Sequence, residues 1–145
     1  MPSRRAFLAL AASVALVTPA LADGPHRLAL QISDNDAEKM TAVLNVAANV
    51  ARHYSDKGED AEIQIVAFNA GLHMLRADTS PVKERVAGFS KSMPNVKFVA
   101  CQNTIDSMAK REGKEIPVVE NADRVPAGVV TLMELSSQGW TIVRP

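Results

Sequence analysis

Short apolar runs alternate with helix-periodic segments along most of this chain, and that alternation leaves few folds open. Arg27–Ile32 (RLALQI), Ala61–Phe68 (AEIQIVAF) and Val96–Ala100 read as strands, Arg124–Pro126 as a short fourth, and Trp140–Val143 as a last one. After the first, Ser33–Asp36 supplies a turn and a cap. A helix then runs to about Tyr54, with Met40, Val43, Leu44, Ala47, Ala48 and Ala51 on one stripe, and Gly58 caps its end. Asn69–Leu75 (NAGLHML) is an apolar loop or short helical turn. Ser80-Pro81 opens the next helix, whose inner face is Val82, Val86, Phe89 and Met93; Pro94 stops it. Asn103 caps a third helix, Asn103–Glu112, with Asp106 as its capping-box partner and Gly113 as its end. Ile116–Val119 is an extended piece that Pro117 assigns to an edge or a loop. Ala127–Ser137 is the last helix, densely apolar at Val129, Val130, Leu132, Met133 and Leu135, and Gly139 ends it.

Strand and helix thus alternate about four times before a final strand. Buried strands separated by helices predict an α/β fold: a three-layer α/β/α arrangement around a mostly parallel sheet of about five strands. Right-handed crossovers fix its handedness. The chain has 145 residues, 47% of them hydrophobic, with no internal repeat and no low-complexity linker. This predicts one domain, residues 23–145.

Residues 1–22 read as a cleaved export signal. Arg4 and Arg5 form a positive start, Phe7–Val17 an apolar run, and Ala20-Leu21-Ala22 an A-x-A cleavage site. The run is shorter than the roughly 18–20 residues that span a bilayer, so no stable membrane insertion is expected. Ser3–Leu8 also matches a twin-arginine pattern, S-R-R-x-F-L, which leaves two export routes open. Either predicts a periplasmic protein. Removing Arg4 and Arg5 from the 16 basic residues leaves 14 against 16 acidic ones.

The net charge of zero and 4% aromatic content argue against a nucleic-acid partner. One cysteine excludes an internal disulfide, a Cys-x-x-Cys pair and a multi-cysteine zinc site. No glycine-rich phosphate loop and no G-x-S-x-G elbow is present. What remains is the edge formed by the carboxyl ends of the strands, where parallel α/β folds build their sites. Ser33, Asp34, Asn69, His73, Cys101, Asn103 and the Pro126-Ala127-Gly128 bend fall there. Cys101 leads the candidates, because a nearby helix N-terminus favours its thiolate. The competing reading is a packed thiol, since free cysteines are commonly buried. His73 serves as a base or hydrogen-bond partner to the thiol, or simply as a satisfied histidine in an apolar loop. A soft-metal reading joins His73, Met74 and Cys101 as Cu(I) ligands, but the spacing is loose and Met74 reads as core. No metal site and no cofactor is predicted. His26 and His53 read as solvated.

Three segments resemble exported members of the DsrE/DsrF-like family: FNAGLHML (Phe68–Leu75), FVACQNT (Phe98–Thr104) and VPAGVVTLMELSSQGWTIVRP (Val125–Pro145). The resemblance covers most of Arg27–Pro145, and Ser136 departs from it where glutamine is expected. It implies a DsrEFH-like α/β/α domain that forms homo- or hetero-oligomers, for this chain a homo-oligomer, trimer or hexamer. It also implies sulfur carriage as a persulfide on the cysteine at the end of a strand, here Cys101, with a sulfur donor or acceptor protein as partner. Asn69, His73 and Asn103 would bind around it. The alternative is a non-enzymatic oligomeric binding module for a small ligand or soft metal. In either case the helix with Val129 and Leu135, apolar on more than one face, fits a subunit interface.

Overall fold

Five strands lie side by side in the order β4-β3-β2-β1-β5: β1 (His26–Ile32), β2 (Ala61–Ala67), β3 (Val96–Cys101), β4 (Ala122–Val125) and β5 (Thr141–Val143). The computed structural model describes residues 24–145; the expected export signal, with its twin-arginine pattern, lies outside the described residues. Every pairing is parallel, so the sheet is wholly rather than mostly parallel.

The strand order explains the layers. From β1 the chain steps to β2, β3 and β4 in one direction. Right-handed crossovers therefore lay α1 (Ala37–Asp56), α2 (Lys83–Ser92) and α3 (Gln102–Glu112) on one face. The return from β4 to β5 runs the opposite way, so α4 (Gly128–Ser137) falls on the other face. The buried residues divide accordingly. Leu30, Ile63, Ile65 and Phe98 pack under Met40, Leu44, Val86 and Met108 on the first face. Ala29, Val66 and Val99 pack under Leu132 and Leu135 on the second. Of the stripe expected on α1, Met40, Val43, Leu44, Ala47 and Ala51 are buried. Asp36 caps that helix by accepting from the N–H groups of Glu38 at 2.8 Å and Lys39 at 3.1 Å. No helix among the described residues is long and apolar enough to cross a membrane.

Several boundaries differ from the sequence expectation, most by one residue; three bear on how the chain turns. The α2 helix begins at Lys83, not at Ser80. Ser80 Oγ donates to the Met74 carbonyl at 2.6 Å and accepts from the Val82 N–H at 3.3 Å, which holds a turn ahead of the helix. The fourth strand starts earlier, at Ala122, and ends before Pro126, which has no N–H to extend the ladder. The α3 helix starts at Gln102, so Cys101 and not Asn103 holds the N-cap position. Asp106 is not a capping-box partner; it accepts from Gln102 Nε2 at 2.8 Å.

The sequence reading missed a buried arginine. Arg76 follows the 3₁₀ helix Asn69–Leu75 and is 1% exposed. Its guanidinium donates to both carboxylate oxygens of Asp78 (2.9 and 2.8 Å) and to both of Glu112 (2.6 and 3.0 Å). Hydrogen bonds and charge from the two carboxylates raise the Arg76 pKa, and the same bonds hold both carboxyls below their ordinary range. The backbone of the Ile116–Val119 piece also joins here, through an antiparallel bridge between Arg76 and Val118. The cluster ties the end of the 3₁₀ segment to the end of α3.

Candidate functional site

At the carboxyl ends of β2 and β3 the structure opens a cleft of about 700 Å³. Asn69, His73, Cys101 and Asn103, the four candidates from the sequence, all line it. Ser33 and Asp34 do not. Asp34 Oδ2 is occupied by Lys39 Nζ at 2.8 Å and Arg144 Nη2 at 2.7 Å. Met74 is fully buried in the core, so it does not join His73 and Cys101 in the soft-metal trio. No cluster of three or more His, Cys, Asp or Glu suited to a metal occurs among the described residues.

Cys101 ends β3 with extended backbone (φ −74°, ψ 115°), and α3 starts on the next residue. It is 5% exposed, and it forms no disulfide. The first residue of α4 also comes against it. A Cβ added to Gly128 would lie 3.3 Å from the Cys101 Cβ, 3.2 Å from the Phe68 Cβ and 3.3 Å from Val66 Cγ1. Glycine therefore lets the α4 backbone approach the thiol closely. The sulfur sits between the N-termini of two helices of 11 and 10 residues, whose unpaired amides carry partial positive charge.

Burial pushes the Cys101 thiol up. The Thr104 hydroxyl and the backbone N–H groups of Gly128, Thr104 and Asn103 outweigh it and leave the thiol below its ordinary value. The thiol makes no full capping hydrogen bond to α3, so these groups act chiefly as dipoles aimed at the sulfur. The Asn103 N–H is shared, since it also donates to the Pro126 carbonyl at 3.2 Å. The amides of Thr104 and Gly128 are thus the better placed.

The far wall is the 3₁₀ helix. Asn69, its first residue, has φ +50°, a left-handed conformation that asparagine tolerates better than most residues. Two residues on, a Cβ at Gly71 would run into the Ile32 carbonyl oxygen and lie 2.7 Å from the Ser33 N. The segment is therefore pressed against the end of β1. His73 Nδ1 is engaged with Thr79 Oγ1 at 2.9 Å, which leaves Nε2 as the ring nitrogen for a cleft occupant.

Sequence reasoning missed Thr104, Ser107 and Arg111, which also line the cleft. The signal was available in the spacing. Asn103, Ser107 and Arg111 recur every four residues, which places them on one face of α3 once the helix is granted.

No protein-family model matches the chain, and no curated protein is significantly similar to it. Among solved structures it is similar to a protein of unknown function, MTH1491 from Methanobacterium thermoautotrophicum. The two share 25% identity with a TM-score of 0.70, over 83% of this chain and 99% of that one.

Proposed function

We propose that this protein is a sulfur carrier of the DsrE/DsrF-like kind, exported to the periplasm and working through Cys101. One observation carries the reading: a nearly buried thiol lines a roomy cleft with two helix N-termini and a hydroxyl turned toward it. That environment favours the thiolate, the form that attacks sulfur. The thiolate attacks the outer sulfur of a hydrodisulfide, R–S–SH. A bond from Sγ to that sulfur forms, the bond to the donor's inner sulfur breaks, and the electron pair leaves on R–S⁻. Cys101 then holds the sulfur as Cys–S–SH, and a partner thiol takes it by the reverse displacement. The Thr104 and Gly128 amides stabilise negative charge on either sulfur, while Asn69, His73 and Asn103 contact the donor. The volume of the cleft exceeds what one sulfur atom needs, which also suits the second reading, a module that binds a small ligand with Cys101 in its wall.

The partnership reading follows from α4. Leu132 and Leu135 face the sheet, whereas Val129, Val130 and Met133 are 51%, 50% and 67% exposed. We assign that outer face to a homo-oligomer, a trimer or hexamer.

Intact mass of the purified protein before and after polysulfide treatment tests the carrier reading. One added sulfur, removed by a reductant and missing in Cys101→Ala, is the expected result. A thiol that stays unmodified and resists alkylation until the protein is unfolded would sink the reading and leave the binding module.

A further inference from the structure

The cleft has a charge bias that the chemistry of Cys101 alone does not require. Its lining contains no Asp or Glu side chain. The acids on neighbouring segments are held elsewhere: Asp34 by Lys39 and Arg144, Asp78 and Glu112 by Arg76, and Asp106 by Gln102. The one Lys or Arg in the lining is Arg111. It takes part in none of the ion pairs among the described residues. Asn103, Ser107 and Arg111 therefore form a polar track along α3, from the thiol end to a free guanidinium two turns away, about 12 Å along the axis. An arginine side chain reaches back over part of that span and offers a planar fork that pairs with a carboxylate.

We propose that this track selects a carboxylate-bearing sulfur donor, and that Arg111 binds the carboxylate while the donor's outer sulfur meets Cys101. The substrate class is then a hydrodisulfide of a small acidic thiol, larger than an inorganic polysulfide and lying along α3 from sulfur to carboxylate. The Asn103 side chain hydrogen-bonds the polar middle of the donor, and Ser107 Oγ, which donates to the Asn103 carbonyl at 2.9 Å, accepts there. The identity of the donor rests on the sulfur-carrier reading above; the selection of anions by Arg111 does not.

Two measurements separate those parts. The first is the rate of Cys101 alkylation by iodoacetate and by iodoacetamide, reagents of like size that differ in charge, on the folded full-length protein. The ratio of the two rates cancels any change in thiol acidity. We expect Arg111→Gln to lower the iodoacetate-to-iodoacetamide ratio about fivefold and Arg111→Lys to retain most of it, with the wild-type preference shrinking at high salt. An unchanged ratio in Arg111→Gln overturns anion selection. The second is sulfur uptake, read by intact mass, from the hydrodisulfide of N-acetylcysteine against that of N-acetylcysteine amide. Faster uptake from the acid, lost in Arg111→Gln, supports the proposed donor class. Equal uptake from both overturns that class and leaves the carrier reading standing. No uptake from either, with an Arg111-dependent alkylation ratio, overturns the carrier reading and leaves an anion-selecting cleft.

Discussion

The backbone N–H of Asn69 donates to Thr104 Oγ1 at 3.0 Å, joining segments 35 residues apart in the chain. The bond engages the hydroxyl as an acceptor and leaves its proton free for another group, and the same hydroxyl lowers the pKa of Cys101. A residue in a left-handed conformation after β2 thereby holds one of the groups that lower the pKa of a thiol after β3.

Replacing Thr104 by Val removes that hydroxyl at similar volume. Because the folded thiol lies below its ordinary value of 9.0, it holds more thiolate at a given pH than the unfolded chain does. We expect the pH midpoint of alkylation to rise in Thr104→Val and to change little in Thr104→Ser. The orphaned Asn69 N–H should also cost about 1 kcal/mol of stability, measured by urea unfolding. A midpoint that does not move in the Val variant would remove Thr104 from the account of the thiol.

Gly71→Ala puts a methyl group into the backbone of Ile32 and Ser33, which cannot rotate away as a side chain can. The expected loss is at least about 3 kcal/mol in urea unfolding, large because the 3₁₀ helix must lift from β1. A loss under about 1 kcal/mol would mean that this segment is not packed as described.

Asp78 and Glu112, through their pairing with Arg76, should make the fold sensitive to acid. Their folded pKa values lie below 3.8 and 4.5, chiefly through hydrogen bonds from Arg76. Depressed acids stabilise the folded state above their unfolded pKa values and lose that contribution as the pH falls through the folded ones. Arg76→Ala is expected to cost about 3 kcal/mol at pH 7, from the lost pairing and the packing of the long side chain. The gap to wild type should be full above about pH 5 and narrow below about pH 4, read from urea midpoints across that range. A gap independent of pH would mean that the cluster acts through packing alone.

If the outer face of α4 builds the proposed homo-oligomer, Val130→Asp with Met133→Asp should yield monomers without altering the far-ultraviolet circular dichroism. Native mass measurement checks this. A wild type that is already monomeric, or a double variant that assembles normally, would leave the outer face of α4 without the role assigned to it.

Much of this architecture was legible in the chain. The α1 stripe from Met40 to Ala51, the glycine Gly113 that ends α3 and the strand run from Val96 to Ala100 follow from local periodicity and from glycine chemistry. Other parts depend on tertiary contact. Nothing local distinguishes Arg76 from an exposed arginine, because its two carboxylates come from Asp78 and from Glu112, 36 residues away. The N-cap position expected of Asn103 went to Cys101, without a side-chain cap, because β3 runs one residue further, pairing Cys101 with Val125, and α3 begins at once. The sequence brought Asn69, His73, Cys101 and Asn103 to one edge through the general geometry of parallel sheets. Thr104 as a thiol partner needed the loop of Asn69 to be placed first.

The return crossing from β4 over β3, β2 and β1 to β5 also orders events in time. Neighbouring strand–helix–strand units close short loops, whereas pairing Leu28 with Thr141 closes nearly the whole chain, and such distant contacts form late. The environment of the sulfur is thus expected to assemble in two stages. The turn into α3 comes with the early units, and the Gly128 amide arrives when the carboxyl-terminal segment docks. During refolding we expect a transient species whose thiol behaves as an ordinary cysteine, and pulsed alkylation would catch it as a fraction that has not yet gained the thiolate character of the folded thiol. The thiol would then reach its full acidity only when the last strand locks.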